Sequence, residues 1–118
     1  MNNVIQTKSY AFAIRIVNAY KFLTNDQKEY VLSKQMLRSG TAIGALVAEA
    51  HHAQSSAEFL NKMNVALKEA NETFYWLSLL RDTDYLSEQI YKSISIDCKE
   101  LNALFVSIVK SVKSSLGR

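Results

Sequence analysis

A chain of 118 residues that is 48% hydrophobic and 21% charged has the length of one domain, 1–118, and enough apolar matter for one core. It contains no proline and only three glycines, which removes the usual punctuation of sheets and long loops, and its single cysteine, Cys98, excludes an internal disulfide. The net charge is a mild +3, no run approaches about eighteen uncharged apolar residues, and Met1 to Lys8 lacks the layout of a signal peptide, so an all-α protein of the reducing cytoplasm is expected, with no membrane span.

The first helix is predicted from about Val4 to Leu23, with Ile5, Phe12, Ile16, Ala19 and Leu23 on one stripe. Thr24-Asn25-Asp26 stops it. Asp26 followed by Glu29 reads as a capping box that opens a second helix running to about Gln54, with Leu32, Met36, Ser39, Ile43, Leu46, Val47 and Ala50 as its stripe. Ser55-Ser-Ala-Glu58 is a second capping box, and the third helix follows to about Arg81 with Phe59, Met63, Ala66, Leu67, Ala70, Phe74 and Leu77 facing inward. Asp82-Thr-Asp-Tyr-Leu86 makes a short turn. Ser87, with Glu88 behind it, caps a fourth helix that ends near Leu116, before Gly117.

Four helices joined by such short turns must alternate in direction, so the expected fold is an antiparallel up-down-up-down four-helix bundle. Gly40, Gly44 and Ala48 recur every four residues inside the second helix. Glycine there costs roughly 1 kcal/mol against alanine, so another helix is expected to approach the backbone at that point. The apolar stripes are also wider than a monomer needs. Tyr10, Ile14 and Val17 on the first helix, Val65, Trp76 and Leu79 on the third, and Tyr91, Val109 and Leu116 on the fourth lie outside the main stripes, and surplus of this kind marks a subunit interface. Tyr10, Ile14, Trp76, Leu79 and Val109 are its candidate members.

No constellation of catalytic residues is legible, and a non-enzymatic protein is expected. Glu49-Ala-His51-His52 contains Glu-x-x-His, a di-iron spacing, but the chain has no further histidine to complete such a site, so no metal and no cofactor is expected. Cys98 lies on the apolar arc of the fourth helix, far in sequence from both histidines. Arg38, Glu49, Glu69 and Glu72 are the polar residues closest to apolar surroundings. A hairpin turning near residues 54 and 55 puts Arg38 and Glu72 at one level, whereas a helical wheel does not place them on one seam; a structural ion pair is favoured over catalytic carboxylates.

Charge is unevenly spread. Residues 1–25 carry Lys8, Arg15 and Lys21 without an acid, residues 101–118 carry Lys110, Lys113 and Arg118 without an acid, and all eleven acids lie between. In the bundle the first and last helices are neighbours, which brings the two basic segments onto one wall. Lys92, Lys99 and Lys110 share a narrow arc opposite the apolar stripe of the fourth helix, while Lys8 and Arg15 are seven apart on the first. Two readings stay open: an ordinary solvated face, or a surface formed by Lys8, Arg15, Lys92, Lys99, Lys110 and Lys113 that attracts RNA or DNA phosphates without reading bases.

Gln35-Met-Leu-Arg-Ser-Gly-Thr-Ala-Ile-Gly-Ala-Leu-Val-Ala-Glu-Ala50, then Ser56-Ala-Glu-Phe59, then Ala66-Leu-Lys-Glu-Ala-Asn-Glu-Thr-Phe-Tyr-Trp-Leu77, occur in that order. Together they resemble the bacterial four-helix-bundle family of proteins encoded in 23S rRNA intervening sequences. The resemblance covers nearly the whole chain. It implies a homopentameric barrel, and kinship with the accessory proteins of diversity-generating retroelements, which look like nucleic-acid-binding partners of a reverse transcriptase. Arg38, Glu49 and Glu72 fall on the family's recurrent charged positions. With Gly40, Gly44 and Trp76 they complete the expected set of interface or structural residues. The expected function is a self-assembling bundle that holds nucleic-acid backbone on basic outer faces; the alternative is a structural or protein-partner scaffold with no nucleic-acid role.

Overall fold

A computed structural model describes residues 3–117. Arg118, counted above among the basic residues of the C-terminal segment, lies outside them. Four helices follow one another: α1 (Asn3–Asn25), α2 (Leu32–His51), α3 (Ser56–Asp82) and α4 (Glu88–Ser115). Each packs on its sequence neighbour and α4 returns to α1, while the backbones of the diagonal pairs stay apart, so the helices form a four-membered ring in cross-section. Cross-helix pairs run in opposite numerical order at each seam. Gly44 lies beside Ser9 and Gly40 beside Ile16, Ser39 meets Thr73 and Glu49 meets Lys62, Ala70 meets Cys98 and Ser78 meets Tyr91. This is the expected antiparallel up-down-up-down bundle, a rod of 48 × 21 × 21 Å.

The start of α2 departs from expectation. The Asp26–Glu29 capping box does not form, because Lys28 takes a left-handed conformation (φ 55°) that turns the chain, and α2 begins only at Leu32. Glu29 then lies behind the helix start. Its carboxylate accepts from the backbone amides of Val31 (3.0 Å), Leu32 (2.8 Å) and Ser33 (2.7 Å), donors that the first turn of a helix cannot satisfy internally. The far end of α2 stops at His51, short of Gln54, where His52 and Ala53 fold back onto the carbonyls of Glu49 and Ala50.

The other caps form as their residues dictate. Ser55 Oγ accepts from the Glu58 amide (3.0 Å), and the Glu58 carboxylate answers by accepting from Gln54 (3.0 Å), one residue before the position of the standard box. Ser87 Oγ accepts from the Ile90 amide (3.1 Å). Asp84 adopts a left-handed conformation (φ 70°) in the α3–α4 turn, letting the amides of Tyr85 and Leu86 cap the Leu80 carbonyl.

The core runs the length of the rod. Ile5, Phe12, Ile16, Ala19 and Leu23 are buried as expected, with Met36, Ile43 and Val47 from α2, Met63, Ala66, Ala70 and Leu77 from α3, and Ile94, Cys98, Leu101 and Phe105 from α4. Several stripe positions shift by one. Leu32, Leu46, Phe59, Leu67 and Phe74 are only half-buried, whereas Ser33, Leu60, Thr73 and Leu80 are inside. Buried hydroxyls tolerate this because each finds a partner: Ser33 Oγ donates to the Glu29 carbonyl (2.8 Å), and Thr73 Oγ1 lies 2.8 Å from both the Glu69 carbonyl and Ser39 Oγ.

Candidate interaction surfaces

Gly40 and Gly44 mark a close approach of α1 to α2 within the subunit. A Cβ on Gly40 would meet the Ile16 side chain at 2.8 Å, and one on Gly44 would meet the Ser9 carbonyl oxygen at 3.3 Å, so α1 lies directly on the glycine face of α2. Beyond this seam, Tyr10 and Ile14, 70% and 49% exposed, stand on the outer side of α1. At the same level α2 offers Thr41, Ala45 and Ala48, which leave them uncovered. Val17 is half-buried nearby.

On the α2–α3 face the charged residues gather. Arg38 donates to Glu69 (3.3 Å), to Glu72, and through Nε to Gln35 (3.3 Å), while Trp76 Nε1 donates to the same Glu72 oxygen (2.9 Å). The level argument for Arg38 and Glu72 holds and the helical-wheel objection does not, because the long guanidinium stem spans the azimuth that Cα positions leave open. Glu49 pairs with Lys62 (2.8 Å) farther along the same face. Toward the start of α2, Val31 is 72% exposed, and the register of Ser39 on Thr73 places it near the level of the half-buried Leu79, with the half-buried Trp76 one turn back along α3.

One interface candidate is not on the surface. Val109 is 6% exposed and belongs to the core, as does Tyr91, another of the surplus apolar residues, whose ring lies 4.0 Å under the Arg81 guanidinium and whose hydroxyl is 3.2 Å from Ser78 Oγ. Against an expected stripe of Ile90, Ile94, Leu101, Leu104, Phe105 and Ile108, α4 is rotated by part of a turn, which puts Tyr91, Ser95, Cys98, Leu101, Phe105 and Val109 inward and leaves Ile90, Leu104 and Ile108 at the edge. Leu116, 36% exposed, stays at the surface beyond the end of α4.

The basic wall expected between α1 and α4 is corrected by its own partners. Lys8 pairs with Glu100 (3.1 Å), and Arg15 donates to Asp97 (2.7 Å), the Ser93 carbonyl (3.0 Å) and Ser93 Oγ (2.7 Å), so that seam is charge-neutral. The lysines of α4 instead face the α3 side. Lys99 Nζ lies 5.3 Å above the Phe74 ring of α3, and Lys92 and Lys110 share its row, with Lys113 in the last turn. All four are exposed. Lys68 and Tyr75, seven apart on α3 and both exposed, border the same face, along a row whose middle residue, Asn71, accepts from Asn102 of α4.

Acids are absent there among the described residues because neighbours on other sides hold them. Glu69 and Glu72 turn to Arg38 on α2, Asp97 and Glu100 turn to α1, and Glu88 stands at the rod's end beside Arg81. Lys68 and Tyr75 are not among the residues expected from the sequence; their seven-residue spacing, the same as that of Lys92 and Lys99, is the signal that puts them on one row.

Burial, then the nearby Asp97, pushes the Cys98 thiol up to about 12, and its Sγ donates to the Ala70 carbonyl at 3.3 Å. Such a thiol carries no thiolate near neutral pH. His51 and His52 are exposed at the end of α2 with their rings edge to face at 5.1 Å, and among the described residues no three potential metal ligands cluster. No helix among them is long and apolar enough to cross a membrane.

The family model described as "23S rRNA-intervening sequence protein" matches residues 1–107. No curated protein matches the chain. Among solved structures, the chain is similar to a protein of unknown function from the S23 ribosomal protein family of Bacteroides thetaiotaomicron: 59% identity, 90% of this chain and 98% of that one covered, TM-score 0.89. Neither comparison indicates an enzyme family. With its blocks in order, four antiparallel helices and a match over most of its length, the chain belongs to the 23S rRNA-intervening sequence protein family.

Proposed function

We propose that this protein is a non-enzymatic, self-assembling helical bundle of the cytoplasm, and that the assembly holds nucleic-acid backbone on its α3–α4 faces. The observation that carries assembly is the presence of two unlike apolar patches on different faces: Tyr10 and Ile14 over the small residues of α2, and Val31 with Trp76 and Leu79 along α2–α3. Exposed apolar area of this kind is stabilised by a partner. Unlike patches on one subunit suit head-to-tail contact, which closes into a ring when the rotation permits, and family resemblance makes five the number to test. Arg38, Glu72 and Trp76 lie within the second patch, where a half-exposed Arg–Trp group commonly anchors an interface.

The nucleic-acid part rests on the lysine face, which lies across the rod from Tyr10 and Ile14 and stays open when they are covered. The same kinship makes a reverse transcriptase a candidate partner, to be tested by co-purification with one encoded beside this gene. Sedimentation equilibrium tests assembly: a multiple of 13.3 kDa is expected, and a single-chain mass at micromolar concentration overturns it. Filter binding of RNA at two salt concentrations separates the nucleic-acid role from a pure scaffold. Affinity must fall steeply as salt rises, and absence of binding at low salt leaves the scaffold.

A further inference from the structure

The α3–α4 face is not uniformly basic. Between its lysines stand Tyr75, 58% exposed, Ile96, 65% exposed, and Val106, 37% exposed, with Ala103 exposed between the last two. Lys92, Ile96, Lys99, Ala103, Val106 and Lys110 follow one another at alternating spacings of four and three along α4, so cationic and apolar side chains share one ridge about 27 Å long. Tyr75 stands one turn from Asn71, the residue that joins this ridge to α3, and its ring meets Trp76 edge to face at 5.0 Å. That contact braces the phenol while leaving it open to solvent.

We propose that this ridge binds single-stranded nucleic acid, with Lys68, Lys92, Lys99 and Lys110 on the phosphates and Tyr75 stacking on a base. The inference rests on the nucleic-acid reading of the same face. A duplex offers this ridge only phosphates, because its bases are stacked inside, and would leave Tyr75, Ile96 and Val106 in water. An unpaired strand presents phosphates and base faces together, which is the chemistry the ridge displays. An anionic membrane suits it less well. The continuous apolar stripe of α4 (Ile94, Cys98, Leu101, Phe105) is sealed in the core, leaving two separated aliphatic side chains where an interfacial helix needs a broad apolar face.

The test is fluorescence anisotropy on the full-length protein with a labelled twelve-nucleotide oligouridine, an RNA hairpin duplex of equal phosphate number, and phosphatidylserine-containing vesicles, each at low and moderate salt. The oligouridine should bind more tightly than the hairpin, and the vesicles should not bind. Tyr75→Ala should weaken oligouridine binding about five- to a hundredfold without changing its salt slope or the hairpin affinity, and Tyr75→Phe should restore it. Lys99→Gln with Lys110→Gln should weaken both RNAs and flatten the salt dependence. Circular dichroism checks that each variant keeps its helices. Hairpin binding equal to oligouridine binding, or indifference to Tyr75→Ala, overturns the single-strand proposal and spares the broader one. No binding of either RNA at low salt overturns both, and binding of vesicles alone assigns the face to a membrane.

Discussion

Glu29 shows how one side chain relocates a helix boundary. Burial by itself pushes its carboxyl up, but hydrogen bonds from the amides of Leu32, Ser33 and Val31 outweigh that and bring it below the ordinary 4.5. Its contribution to stability is therefore fully present above about pH 4.5, the unfolded value, and is lost as pH falls through the lower folded one. Glu29→Gln should cost about 1 kcal/mol in urea unfolding at pH 7. The gap between variant and wild type should narrow on acidification, and a gap that widens would show that the carboxylate is not the stabilising species. Cys98 gives a second expectation at this scale. With its thiol pushed up to about 12 by burial, it should resist iodoacetamide in the native protein and react on unfolding, whereas rapid native alkylation would contradict its place in the core.

Between helices, the four seams are held by different means. On α1–α2 the glycines allow backbone contact, and the two positions differ in what a new side chain would strike. Gly40 faces the buried, β-branched Ile16, whose Cγ1 and Cγ2 would lie 2.8 and 2.9 Å from a new Cβ, while Gly44 faces the Ser9 backbone carbonyl at 3.3 Å, which cannot step aside without moving α1. Gly44→Leu should therefore destabilise the bundle by about 1 to 3 kcal/mol or more, and Gly40→Ala should destabilise it too because its Cβ displaces Ile16, both read from thermal unfolding. The α1–α4 seam is the least closely packed, and the Lys8 and Arg15 pairs bridge it. Each of these side chains is 38 to 51% exposed, so Arg15→Ala should cost no more than about 1 kcal/mol, with the loss shrinking in high salt. A larger loss that salt leaves unchanged would mean that Arg15 acts through packing instead.

At the scale of the whole molecule, the two apolar patches imply that monomer and assembly differ in the exposure of few residues. Ile14→Glu should shift sedimentation toward a single-chain mass while leaving the helical content of the bundle intact; an unchanged mass would move the interface away from α1. The helices, their caps at Ser55 and Ser87, the antiparallel order and the helix contact at Gly40 and Gly44 were all legible in the sequence, because each follows from local chemistry or from a repeat at the helical period. Family membership was legible for the same reason, as ordered blocks along one chain. The rotation of α4 that buries Val109 and Tyr91, the capture of Arg38 by Glu72, and the pairing of Lys8 and Arg15 with acids on α4 were decided only by the tertiary structure. A sequence specifies the charge on each helix, but which seam that charge faces depends on how four helices rotate to fill one core. Only with that rotation do the acids of α3 and α4 fall on the flanking seams, leaving the lysines of the α3–α4 face without an acidic partner among the described residues.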